Sequence, residues 1–198
     1  FMDSFDADSR VRQAFELVND KLGGANPLYI VVEASHPNAF KEPDNLRLLR
    51  ELQDWLEAQA DIGGTTSIAD YLMLVNYVTH RFDPDHYVLP DADYEVRMLV
   101  NQFKSLLGRD ILRRYVSEDF TTANITMLTR LSTARAFADA EKRIMCFCRL
   151  REKSETTCRV TGFGMVMSLG SRHLVSGQVW SLSITMGVIF VMIYGMFL

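Results

Sequence analysis

Residues 174–198 contain no charged side chain and end LSITMGVIFVMIYGMFL, whereas every Lys, Arg, Asp and Glu lies ahead of them. This asymmetry predicts a water-soluble body followed by a transmembrane helix, because roughly 20 apolar residues rising about 1.5 Å each cross a hydrocarbon core near 30 Å. A signal peptide is excluded, since such peptides open a chain and are followed by a cleavage site of small residues. Residues 182–198 alone would rise only about 25 Å, so the span draws on residues 175–181 as well. Trp180 then falls where an indole keeps its ring among headgroups and its N–H in water, with Arg172 and His173 outside the hydrocarbon. The chain opens on Phe1, and the apolar run reaches Leu198 without a basic flank, as expected of an internal piece of a longer protein.

The residues ahead of this run are enough for one domain with its own core. The formal net charge is −4 and the two signs are interspersed. No basic stripe is available to neutralise a phosphate backbone, so nucleic acid is not an expected partner. Cys146, Cys148 and Cys158 are odd in number and lack the spacing of a disulfide framework or a zinc site. On a helix the first two point to different faces, and all three read as small hydrophobes. His36, His80, His86 and His173 form no HExxH pattern, and no GxSxG turn accompanies the serines. No metal, cofactor or enzyme activity is expected.

Periodicity gives the elements. Val11, Ala14, Phe15, Val18 and Leu22 recur at helical spacing and stop at Gly23 and Gly24, and PLYIVVEA from Pro27 reads as a buried strand. Leu48, Leu49, Leu52, Trp55 and Leu56 form the stripe of a helix that Asp44 is placed to cap. A short strand through Gly63 and Gly64 leads to a helix opened by a Ser67/Asp70 capping box. Val96, Leu99, Val100, Phe103, Leu106 and Leu107 mark the next helix, ended by Gly108. FTTANITMLTRL alternates as a strand, with Ala123, Ile125, Met127 and Leu131 inward and Thr122, Asn124, Thr126 and Arg130 outward. Residues 111–116 are expected as its hairpin partner. Ala134, Phe137, Ala138, Ile144, Met145 and Cys148 give a further helix, and Cys158 opens a last short strand that Gly162 ends. Trp55, Phe103 and Phe137 read as core aromatics.

With the helical insertion 68–108 set aside, the order is strand, helix, strand, strand, helix, strand. An α+β fold of the ferredoxin-like, split βαβ kind is expected, with both helices on one face of a mostly antiparallel sheet. The boundaries are a leading helical segment 1–24, a body 25–173, and the transmembrane helix 174–198.

TGFG, residues 161–164, follows a strand and opens a helix, but Met167 stands where a dinucleotide loop would want a third glycine. Gly162 and Gly164 read instead as a sharp strand ending and a hinge candidate. Met165, Met167 and Leu169 follow at the junction with the membrane helix, where adaptable apolar side chains suit the admission of an amphiphilic substrate.

FELVNDKLGGANPLYIVVEA, GGTTSIADYLMLVNY, YVLPDADYEVRMLVNQF, YVSEDFTTANITMLTRL and RVTGFGMVMSLGSRHLVSGQVWSLSITMGVIFVMIYG fall in one order along nearly the whole chain. Together they resemble the first extracytoplasmic loop and second membrane helix of resistance-nodulation-division superfamily exporters, in the branch of the mycobacterial-type large membrane proteins and hopanoid transporters. The resemblance implies a periplasmic porter domain, residues 1–173 on the periplasmic side of the bacterial inner membrane, and proton-driven export of hydrophobic or amphiphilic, lipid-like molecules. It implies as partners the lipid bilayer, that substrate and the remaining transporter segments, and admits a homo-oligomer. The proton-carrying acids of such proteins lie in membrane helices, and the apolar run here holds no Asp or Glu. The competing expectation is a membrane-anchored extracytoplasmic binding or assembly module without transport activity.

Overall fold

The computed structural model describes residues 6, 8–151 and 156–197, with the side chains at 167–169, 171–175 and 197 outside that description. Strands β1 (Asn26–Ala34), β2 (Ile62–Thr66), β3 (Thr122–Thr129) and β4 (Thr156–Thr161) form one sheet in the order β2-β3-β1-β4, every neighbouring pair antiparallel. Ile30 stands opposite Ile125 on one side and Val160 on the other. Because successive strand residues point to opposite faces, Leu28, Ile30 and Val32 line up with Ala123, Ile125, Met127 and Cys158 on the buried face. Thr122, Asn124 and Thr126 lie on the other, half-exposed face, as the alternation predicts.

Helix α1 (Arg10–Leu22) starts where the Ser9 hydroxyl accepts from the Arg12 amide and stops at left-handed Gly23. None of its residues is buried: in its apolar stripe Phe15 and Val18 are half-buried, and Val11, Ala14 and Leu22 are exposed. Helix α2 (Pro43–Glu57) buries Leu46, Leu49, Leu52 and Leu56 against the sheet. Each such side chain gains roughly 1.5–3 kcal/mol from full burial. Its cap differs from expectation. Pro43, which has no N–H to satisfy, occupies the first turn and makes Glu42 the N-cap, while Asp44 pairs with Arg47 instead.

Helices α3 (Ile68–Thr79), α4 (Asp93–Leu106) and the short α5 (Arg109–Leu112) make up the insertion and its exit. The insertion shares the body's core: Leu72, Val75, Leu99, Val100 and Phe103 belong to the same buried cluster as the sheet residues. The Ser67/Asp70 capping box is present at the start of α3. At the other end of the α4 stripe, Leu106 and Leu107 are exposed, because the helix runs past the core before Gly108 turns it. Residues 111–116 are not a hairpin strand. Residues up to Leu112 are helical, and the only ladder contact of this stretch is a single antiparallel bridge, Val116 to Ala123, ahead of a turn built on Ser117 and Asp119.

Helix α6 (Ala134–Arg151) buries Phe137, Ala140, Ile144 and Cys148. On α6 Cys146 is exposed and Cys148 buried, as their two-residue spacing on a helix requires, and Cys158 on β4 is buried. Trp55 stacks on Phe147 with ring centroids 4.5 Å apart, joining α2 to α6. Helix α7 (Phe163–Phe197) is continuous over 35 residues. It begins well before residue 174, so the apolar run is the distal part of a helix rooted in the body. Its segment Ser176–Met196 is long and apolar enough to cross a membrane, and none of it is buried.

Candidate functional site at the root of the long helix

β4 ends where α7 begins, and two glycines make the change of direction. Gly162 has φ +141°, a backbone conformation that side-chain-bearing residues rarely adopt. Its carbonyl accepts from the amides of both Met165 and Val166, each at 3.1 Å, so the helix starts with no intervening loop. A Cβ at this position would also stand 2.9 Å from Leu28 Cδ2 and 3.0 Å from the Pro27 carbonyl oxygen. At Gly164 a Cβ would fall 2.5 Å from the Phe137 ring. The first turn of α7 therefore lies directly against β1 and α6, and only hydrogen at these two positions permits that approach.

This geometry bears on each predicted site residue. The space at Gly162 and Gly164 is filled by Leu28 and Phe137, which leaves no phosphate cradle in TGFG and makes the join a packed root. Met165 is 4 % exposed and belongs to the body's core, so a ligand reaches it only by parting α7 from its neighbours. The side chains of Met167, Leu169, Arg172 and His173 lie outside the described residues. Trp180 is 71 % exposed within the apolar span, four positions from its start at Ser176.

Glycine crowding extends across this end of the sheet. A Cβ on Gly23 would stand 2.8 Å from the Gly63 carbonyl oxygen, one on Gly24 would stand 2.6 Å from Thr129 backbone atoms, and one on Gly63 would overlap the Gly23 carbonyl. Gly63 also sits at the register shift between Ile62 and Gly64 in β2. The two Gly-Gly doublets of the sequence thus meet in space. Their spacing alone carries no sign of this, since each doublet also satisfies a local need for a turn.

Beside β2 a buried polar network joins three elements. Gln53, fully buried on α2, donates to Thr65 Oγ1 at 3.1 Å and to Asp70 Oδ2 at 2.7 Å, and accepts from the Ser67 hydroxyl at 2.7 Å. Asp70 also accepts from the Ser67 amide and from Arg50. A glutamine within a leucine stripe reads as solvent-facing in sequence, and periodicity offers no signal for its burial.

Among the described residues no group of three His, Cys, Asp or Glu is placed to hold a metal ion. His80 and His86 stack with centroids 3.9 Å apart, their ring planes 13° from parallel. Groups with displaced pKa lie away from the root of α7. Burial, then the Lys104 and Arg97 charges, holds the Lys41 ammonium below its usual value. Hydrogen bonds from Ser117 and Thr121 depress the Asp119 carboxyl. Tyr94 is raised by its hydrogen bond to Glu95, and Tyr115 is pushed up to about 12, by burial first and by Tyr71 second. Comparison with protein-family models finds no match for this chain. Comparison with curated proteins finds no similar sequence either.

Proposed function

We propose that the chain is a periplasmic porter module of a resistance-nodulation-division-type exporter, moving hydrophobic or amphiphilic molecules at the bacterial inner membrane. The observation that carries this reading is the packed root of α7: an α+β body and a helix of membrane-crossing length share one continuous backbone, with no loop to absorb motion between them. A helix held in this way works as a lever. Displacement of its distal part is delivered to Phe137 on α6 and to Pro27 and Leu28 on β1, which turns the sheet and its helices as a unit. The sheet order, with two strand-helix-strand units interleaved and every pair antiparallel, supports a ferredoxin-like reading of the body. The work is mechanical, and proton coupling belongs to membrane-embedded acids outside these residues.

Gly162→Pro and Gly164→Val, placed in the complete gene product, test the reading through export of a fluorescent lipid-like substrate. Loss of export at normal membrane abundance is the expected result. Full export from both variants overturns it. Stable membrane insertion of a gene product that moves no substrate favours the anchored binding or assembly module instead.

A further inference from the structure

At the end of the sheet opposite the root of α7, cations gather without matching carboxylates. A cavity of about 300 Å3 is lined by Lys104, Arg109, Leu112, Arg113, Val116, Ser117, Glu118 and Phe120. Its floor is apolar, since Leu112, Val116 and Phe120 are buried members of the core. Its rim holds three cations and one carboxylate, and that carboxylate, Glu118, is paired with Arg113. Lys104 and Arg109 make no ion pair among the described residues. Elsewhere on the body Arg47, Arg50, Arg143 and Arg151 each face a carboxylate; what sets this cluster apart is that its unpaired cations, Lys104 and Arg109, line one cavity with an apolar floor.

The cluster continues behind the rim. Lys41 Nζ lies 4.2 Å and Lys104 Nζ 5.4 Å from the centre of the Phe120 ring, so two ammonium groups lie over one aromatic ring. Burial and the nearby Lys104 and Arg97 charges disfavour the protonated form of Lys41. Asp119, the closest carboxylate in sequence to the ring, is turned into its own loop, accepting from the Ser117 and Thr121 hydroxyls at 2.6 and 2.8 Å. Phe120 itself has φ +56°, a costly conformation for a side-chain-bearing residue. It is held there by backbone bonds, its carbonyl accepting from Phe40 and the adjacent Asp119 carbonyl accepting from Asn38. The scaffold therefore fixes an apolar floor under a set of charges that it does not neutralise.

We propose that this cavity binds a phosphate group presented from the aqueous side, with Lys104 and Arg109 supplying the charge and the Leu112, Val116 and Phe120 floor receiving the apolar atoms that carry it. Two unneutralised cations match a dianion better than a carboxylate, and guanidinium with ammonium is the donor pair that phosphate oxygens favour. The volume lies at the lower limit for small-molecule pockets, which suits a headgroup-sized ligand. The site lies near the start of β3 and the end of β1, whereas α7 leaves beside Pro27 and Leu28, so it faces away from the apolar helix.

The test uses the full chain in phosphatidylcholine nanodiscs, titrated calorimetrically with inorganic phosphate and with dihexanoyl phosphatidic acid. Saturable binding is expected, weakened about tenfold or more by Lys104→Gln with Arg109→Gln. Lys104→Arg should retain it. A charge-matched control, Lys142→Gln with Arg149→Gln, should leave it unchanged. Tighter binding of the phosphatidic acid assigns the site to a lipid-borne phosphate, and equal binding assigns it to free phosphate. Absence of saturable binding at about 10 mM of either probe, corresponding to an interaction weaker than about −3 kcal/mol, overturns the proposal. An equal loss in the control pair also overturns it, since that would mark a diffuse charge effect.

Discussion

The two ends of the sheet hold themselves together by opposite means. At the end from which α7 leaves, Gly23, Gly24, Gly63, Gly162 and Gly164 bring backbones and rings into contact and leave no room for one further carbon. At the other end, Lys41, Lys104 and Arg109 surround Phe120 with charge that the described residues do not neutralise. Packing decides the first and electrostatics the second. The first should therefore respond to added volume and ignore salt, and the second should respond to charge, salt and anions and tolerate small changes of shape.

The largest effect should come from Gly63→Ala, whose new Cβ has no place beside the Gly23 carbonyl. A loss of about 3 kcal/mol or more is expected, at the upper end for overpacking, because the obstacle is backbone that cannot rotate away. Gly64→Ala is the matched control. Nothing lies within 4 Å of a Cβ there, and the change should be neutral or stabilising by up to about 1 kcal/mol. Chemical denaturation of the full chain in detergent, followed by far-ultraviolet circular dichroism, separates the two. Equal midpoints would break the claim that close approach governs this end.

Between the two ends, Gln53→Leu asks whether polar pairing is as strict as packing. The substitution preserves approximate size but strips partners from Thr65, Ser67 and Asp70 together. A cost of about 1–3 kcal/mol is expected, because Asp70 and Thr65 keep other partners while the fully buried Ser67 hydroxyl is left without an acceptor and pays its desolvation penalty. A variant as stable as the parent in the same denaturation experiment would show that these groups find water instead.

A smaller effect is expected at Gly164, where the obstacle is a ring and not a backbone. Gly164→Ala should cost about 1–2 kcal/mol, and Phe137→Leu in the same chain should recover part of that loss, giving a favourable coupling in a double-mutant cycle. Strict additivity would mean that the α6–α7 approach is looser than the ring position implies.

Local patterns account well for the elements and poorly for the encounters between them. Ala123, Ile125 and Met127 announce β3 because alternation is a property of the strand itself, and the Ser67/Asp70 box announces α3 because a cap is built within four residues. Asp44 misleads because Pro43 changes which residue stands at the cap, and residues 111–116 mislead because Ile111, Leu112, Tyr115 and Val116, spaced i, i+1, i+4 and i+5, fit one face of a helical turn as readily as a strand. At the α7 root, Gly162 and Gly164 were legible as special positions, but their partners were not. Phe137 and Leu28 are remote in sequence, and only the folded sheet decides that the glycines serve close packing. The same holds for Lys41, Lys104 and Phe120, which come from three separate segments, Phe120 from the turn ahead of β3.

The charge-governed end is sharpened by titrating Tyr115, whose backbone carbonyl accepts from Asn124 at 2.7 Å and whose hydroxyl lies 3.3 Å from that of Tyr71. Burial first, and then the Tyr71 hydrogen bond, raises its pKa from 10.0 to about 12. Folding thus favours the neutral phenol. The resulting stability is fully present below pH 10 and is lost as pH rises toward 12. Tyr71→Phe removes the hydrogen bond but leaves the burial, so tyrosinate absorbance should shift to lower pH while remaining above the ordinary value. Coincidence with free tyrosine in that variant would make the hydroxyl pair the whole cause. An unchanged profile would make burial the whole cause and leave the Tyr71 contact without electrostatic weight.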